Sequence, residues 1–164
     1  MAFVLTSPAF TDGATLPQAQ VYNGMGQTGR NLSPALEWKN APEGTKSFVV
    51  TTYDPDAPTG SGWWHWVVAN IPASVTALPE GAGSGKGGLP EGAVQVRTDF
   101  GAPGYGGAAP PPGPAHRYIF SVYALDVPKL DIGPDASPAL VGFMVHHHKL
   151  ASASLTALYS GQKP

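Results

Sequence analysis

Proline and glycine cut this chain into pieces too short for a helical bundle. Its 164 residues include 21 glycines and 18 prolines, about twice their average usage. A proline fixes its own φ, removes a backbone donor and disfavours αR geometry at the residue before it. Between these breaks lie runs rich in β-branched and aromatic residues, at 47–53, 66–71 and, longest, 116–125. Such runs read as buried strands. Shorter strands are expected at 3–5, 20–23, 36–38 and 94–98. One segment carries a helical period. Ser137 and Pro138 suit N-cap and N1, Leu140, Phe143, Met144 and His147 begin a stripe, and Leu150, Ala151, Leu155 and Leu158 continue it to a stop at Gly161. The chain is therefore expected to be mainly β with one C-terminal helix.

The length suits one domain over 1–164, large enough for a core without staples. Charged residues are 12% of the chain and the formal net charge is −2. No basic stripe is present, which argues against nucleic acid and anionic membranes as partners. With no cysteine there is no disulfide framework, thiolate nucleophile or cysteine-based zinc site. Residues 1–7 lack a secretory pattern, and no apolar run approaches the ~18 residues of a membrane span. A soluble, cytoplasmic protein is expected.

The chemistry concentrates at Asp54-Pro55-Asp56-Ala57-Pro58, followed by Thr59-Gly60-Ser61-Gly62-Trp63-Trp64-His65-Trp66. The prolines stiffen a loop that hangs two carboxylates between two strands. Strand 116–125 opens with His116 and Tyr118 on one face, alongside Phe120 and Val122. His65 is expected on the same face as Val67. If the strands are neighbours, Asp54, Asp56, His65, His116 and Tyr118 converge at one end of a sheet. Each residue alone has a structural explanation: a satisfied imidazole, a loop-end histidine, a core tyrosine. Together they permit two readings. Imidazole, phenol and backbone donors hold a phosphate-like anion while the carboxylates orient the imidazoles. Alternatively, two histidines and a carboxylate hold a divalent metal, with the other aspartate as base. The absence of a closely spaced histidine pair among these residues weighs against the metal, so no metal or cofactor is expected.

Other motifs fall away. The glycine-rich stretch 81–88 has Glu80 and Gly87 where a phosphate-binding loop needs glycine and Ser or Thr, so it reads as an exposed turn. Gly60-Ser61-Gly62 lacks the spacing of a serine-hydrolase elbow. His146, His147 and His148 diverge by ~100° on a helix, with His147 expected to face the core. Asn31 and Ser33 are expected to bond nearby backbone.

Residues 54–58 and 62–72, with Pro110-Pro111-Pro112-Gly113-Pro114-Ala115-His116-Arg117-Tyr118, closely resemble the two signature blocks of the phosphatidylethanolamine-binding proteins. Asn31-Leu32-Ser33-Pro34, Asp99-Phe100-Gly101 and residues 150–155 resemble the bacterial and archaeal Raf-kinase-inhibitor-like branch. The resemblance covers about 3–159. It implies a large antiparallel sheet packed on a smaller one and a small anion pocket at one end. That pocket is lined by Asp54, Asp56, His65, His116 and Tyr118, with Pro58, Trp63 and Pro111 shaping its walls. Against that resemblance, the spacer before His116 reads one residue shorter than in close relatives, and the C-terminal helix that borders the pocket in eukaryotic members is not expected here, which would leave the site more open. Homodimers are common in this branch, and kinase or protease inhibition is a family association.

The expected function is a binding module for a phosphate-bearing group such as a phospholipid head group. The alternative is a His/Asp-based hydrolase, with or without metal assistance, of a small phosphoester. The pocket is expected to be too polar for acyl chains. An imidazolium-held anion would lose affinity between about pH 6 and 8, and His116→Ala and Asp56→Asn are expected to be severe.

Overall fold

The computed structural model describes residues 1–161. The strands are β1 (Val4–Thr6), β2 (Leu36–Lys39), β3 (Ser47–Asp54), β4 (Trp63–Pro72), β5 (Ala77–Leu78), β6 (Val94–Gln95), β7 (His116–Leu125) and β8 (Lys149–Tyr159), with helix α1 (Pro138–His148) between β7 and β8. Two antiparallel sheets result. The smaller has the order β1-β2-β5 and the larger β6-β4-β3-β7-β8. Among the described residues no helix is long and apolar enough to cross a membrane.

The large sheet is covered on both faces, which is why β3 and β4 read as almost unbroken apolar runs. One face, with Phe48, Val50, Val68, Phe120 and Val122, packs on Leu5, Leu36 and Trp38 of the small sheet. The other, with Val49, Val67, Ala69 and Leu125, packs beneath Leu130 and the α1 residues Val141 and Val145. The expected strands at 47–53, 66–71 and 116–125 all form. Residues 20–23 do not make a strand: 3-10 geometry covers Gln18–Gln20, and Val21 makes only an isolated bridge to Ala108. The 94–98 segment shortens to β6.

The C-terminal segment departs most from expectation. Ser137 caps the helix, its Oγ accepting from the Leu140 N–H at 3.0 Å, and Pro138 follows as the first helical residue. The helix ends at His148, not near Gly161, and residues 149–159 pair along the whole of β7, from Leu125↔Lys149 to His116↔Tyr159. A spacing of four belongs to both periods, so Ala151 and Leu155 fit a helix stripe and a strand face equally. The bare edge of β7 decides, because its N–H and C=O groups need partners. The expected helical stripe also faces the wrong way. Val141 and Val145 are buried, whereas Leu140, Phe143 and His147 are exposed. This helix is apolar on more than one side, so periodicity could not choose its inner face.

Candidate functional site

Two irregularities in β4 set the site's position. Thr52 pairs with Trp66 and Tyr53 with Trp64, leaving His65 as the extra residue of a bulge. His65 therefore turns toward β7, its ring 5.2 Å from that of Tyr118 in an edge-on contact, while Val67 faces the α1 side. The expectation that His65 and Val67 share a face fails because the bulge resets the alternation. A second bulge at Asn70, whose φ is +60°, restores Ile71 to the inter-sheet core.

His65 is buried and tied to the following loop twice. Its Nδ1 lies 2.7 Å from the Gly106 carbonyl, and its own carbonyl accepts from the Gly106 N–H at 2.9 Å. A carbonyl can only accept, so Nδ1 carries the hydrogen and Nε2 is left as an acceptor. Burial lowers the His65 pKa, outweighing the Gly106 carbonyl and the Asp54 charge that favour the cation. The backbone approach is close: a Cβ at Gly106 would overlap the Phe100 ring.

Asp54, at the end of β3, is buried with both oxygens used. Oδ1 accepts from the Asp56 N–H at 2.7 Å, and Oδ2 lies 2.8 Å from His116 Nδ1. That pair crosses from β3 to β7, which are neighbours in the sheet. It fixes the His116 ring by the nitrogen facing Asp54 and leaves Nε2 available.

Beside these residues lies a cavity of about 530 Å³. Asp54, His65, His116 and Tyr118 line it, with Pro58, Trp63 and Pro111. Met25, Gln27, Phe100, Pro110 and Pro112 also contribute. The lining is mainly apolar, which corrects the expectation of a predominantly polar pocket: the three consecutive prolines and Phe100 present rings, not donors. Three lining residues carry buried polar atoms with no protein partner, namely Tyr118 OH, Trp63 Nε1 and Gln27 Oε1. Burial, and secondarily the Asp54 charge, raise the Tyr118 pKa, so the phenol stays protonated as a donor. Asp54 favours that neutral form through its charge and, more weakly, as an acceptor close to the hydroxyl, in a contact that falls outside hydrogen-bond geometry.

A family model described as phosphatidylethanolamine-binding protein matches residues 6–160. The chain belongs to the phosphatidylethanolamine-binding protein family. It is 60% identical over 156 residues to the UPF0098 protein YbhB of Escherichia coli K12, a match covering 95% of this chain and 99% of that one. The crystal structure of E. coli YbcL, described as a member of the mammalian PEBP family, aligns with a TM-score of 0.95 at 51% identity, covering 99% of this chain and all of that one. A homologue from Chlamydia trachomatis aligns at 0.83 with 32% identity, covering 98% and 99% of the two chains.

Within this family framework one expected site residue lies elsewhere. Asp56 does not line the cavity. Its carboxylate turns to Arg117, with Oδ1 2.9 Å from Nη2 and Oδ2 3.0 Å from Nε, while Oδ2 also accepts the Arg117 backbone N–H at 2.9 Å. Arg117 points outward because it alternates with the inward His116 and Tyr118. These hydrogen bonds, chiefly that from the guanidinium, hold the Asp56 carboxyl down at about 2. Asp56 thus pins the start of β7, next to His116.

The loops behind the cavity are less local than expected. Asn31 Oδ1 accepts the Gly107 N–H at 2.7 Å, and Ser33 Oγ accepts the Gly83 N–H at 2.8 Å. Gly81, Ala82 and Gly83 are consequently buried, and only the later part of the glycine-rich stretch is exposed. The lining residues Gln27 and Phe100 were not expected. Asp99 offered a signal for Phe100: its Oδ2 accepts the Trp64 N–H at 2.7 Å, docking that turn on the start of β4. Among the described residues, no group of three or more His, Asp or Glu is close enough to hold a metal ion.

Proposed function

We propose that the cavity captures a phosphate-type anion, free or as a phosphorylated head group, and that this member of the family works as a binding module. The observation that carries the proposal is the pair of buried donors without protein partners, Tyr118 OH and Trp63 Nε1, on residues lining one cavity. An unpaired buried polar group costs about 1–3 kcal/mol, and such exceptions call for a functional explanation. Anion oxygens supply the missing acceptors.

Asp54 beside an anion is reconciled by its pairing. With a proton on both nitrogens of His116, the Asp54–His116 pair is neutral overall and Nε2 becomes a third donor. His65, neutral through burial, contributes an acceptor instead of charge. A phosphorylated side chain of a kinase or other signalling protein offers the same chemistry, so inhibition would follow from capture.

The Asp54–His116 contact of 2.8 Å also suits activation of a water, which is the specific observation behind a hydrolase reading. Calorimetric titration of inorganic phosphate and O-phosphorylethanolamine, with and without chelator, separates the two. Binding that persists in chelator and gives no turnover of p-nitrophenyl phosphate supports the module. Absence of phosphate binding, with catalytic turnover, would replace it by the hydrolase.

A further inference from the structure

A phosphate group fills only a small part of 530 Å³, and the remaining wall is mostly apolar. Gln27, on a loop far in sequence from every expected site residue, is a polar exception in that wall. It is 6% exposed, and its Oε1 is a buried acceptor with no protein partner. The loop that carries it is built to hold that position. The Gly29 N–H donates to the Tyr22 carbonyl at 2.8 Å, and the Gln27 N–H to the Gly24 carbonyl at 3.0 Å. Tyr22 stacks on Phe100 with ring centroids 4.8 Å apart. The turn requires left-handed geometry at Met25, with φ +53°, as well as at Gly26. A side chain rarely adopts that region, and such strain persists where the surroundings impose it, often at binding sites. A glutamine buried with an unpaired oxygen is likewise unfavourable.

We infer that Gln27 is a specificity-determining residue of the cavity. It accepts a hydrogen bond from an O–H or N–H on the organic part of the ligand, while Tyr118, Trp63 and His116 hold the phosphate. The ligand class is then a phosphomonoester whose body is apolar enough to lie against Pro58, Pro110, Pro111, Pro112 and Phe100 and carries one donor. This inference rests on the anion-binding reading above. A phosphate-only site would need neither the volume nor Gln27. A purely hydrocarbon body would leave the Gln27 oxygen unpaired, and the mismatch would be felt as lost affinity.

The test is calorimetric titration of the full chain with inorganic phosphate, phenyl phosphate and the 2-, 3- and 4-hydroxyphenyl phosphates. The same series is measured on Gln27→Leu and on Gln27→Met, with thermal melts to establish folding. The wild type is expected to bind the best hydroxyphenyl phosphate about tenfold more tightly than phenyl phosphate, the worth of one good buried hydrogen bond. Both variants should close that gap, keep inorganic phosphate within about twofold and melt no lower than wild type. A gap that survives in the variants, or no gap in the wild type, would overturn the role of Gln27 while leaving phosphate binding intact. Failure of every phosphate, inorganic phosphate included, to bind the wild type would remove the anion reading and this inference with it.

Discussion

Because His65 is buried and bonded through Nδ1 to a carbonyl, acid should unfold this protein partly through one imidazole. The native His65 pKa is lowered by burial, whereas the unfolded chain takes up its proton near the ordinary value of about 6.5. As pH falls below that value, the unfolded state binds more protons than the native state, so stability falls with pH. The contribution is fully present above about pH 6.5 and is lost as pH falls toward the native pKa. While the native ring stays neutral, the slope approaches about 1.4 kcal/mol per pH unit. His65→Asn provides the reference, since asparagine keeps a side-chain N–H for the Gly106 carbonyl but does not titrate. Urea unfolding of both proteins at steps between pH 7.5 and 5.5 should show the wild type losing about 1 kcal/mol more than the variant. Parallel stability curves would refute the reasoning, because they would mean that His65 titrates alike in the native and unfolded states.

Three further outcomes are expected. Tyr118→Phe should weaken phosphate by about ten- to a hundredfold in calorimetry, the range for a hydrogen bond to a charged group, with thermal stability unchanged or higher because an unpaired hydroxyl is removed. Asp56→Asn should change phosphate affinity by no more than about threefold, a hydrogen-bond-scale limit, against the severe loss that the sequence suggested. In acid titrations monitored by circular dichroism, its signature belongs at low pH: the native carboxyl, held at about 2 against the usual 3.8, stabilises the wild type above 3.8, and that stabilisation is lost as pH falls through about 2. Leu155→Ala should cost about 2–5 kcal/mol in urea unfolding because Leu155 is buried on β8, whereas Leu140→Ala, on the outer side of α1, should stay within about 0.5 kcal/mol.

The extent to which the site was legible follows the nature of each signal. Asp54, Pro58, Trp63, His65, Pro111, His116 and Tyr118 are brought to one cavity, and all lie in the two dense motifs that the sequence displays. Asp56 stands in the same motif, two residues from Asp54, yet serves Arg117. Motif proximity does not encode which way a carboxylate turns after Pro55. Gln27 and Phe100 were missed because each sits in a loop whose route depends on distant anchors, Tyr22 on Phe100 and Asp99 on Trp64. The Asp99-Phe100-Gly101 motif marked the second loop without placing it at the cavity, and the Tyr22–Phe100 contact leaves no local pattern.

By itself the sequence determined the three central strands of the large sheet, β3, β4 and β7, since β-branched and aromatic runs between prolines have few other uses. It also determined the cap of α1, because Ser137 and Pro138 act on groups within one turn, and it carried the motifs of the family. Tertiary structure alone decided that 149–159 is a strand, because only the open edge of β7 breaks the tie between two periods that share a spacing of four. It also decided the inner face of α1, the bulge that turns His65 to the cavity, and the burial that keeps its ring neutral. Each depends on a partner far along the chain, and a sequence records its neighbours more plainly than its contacts.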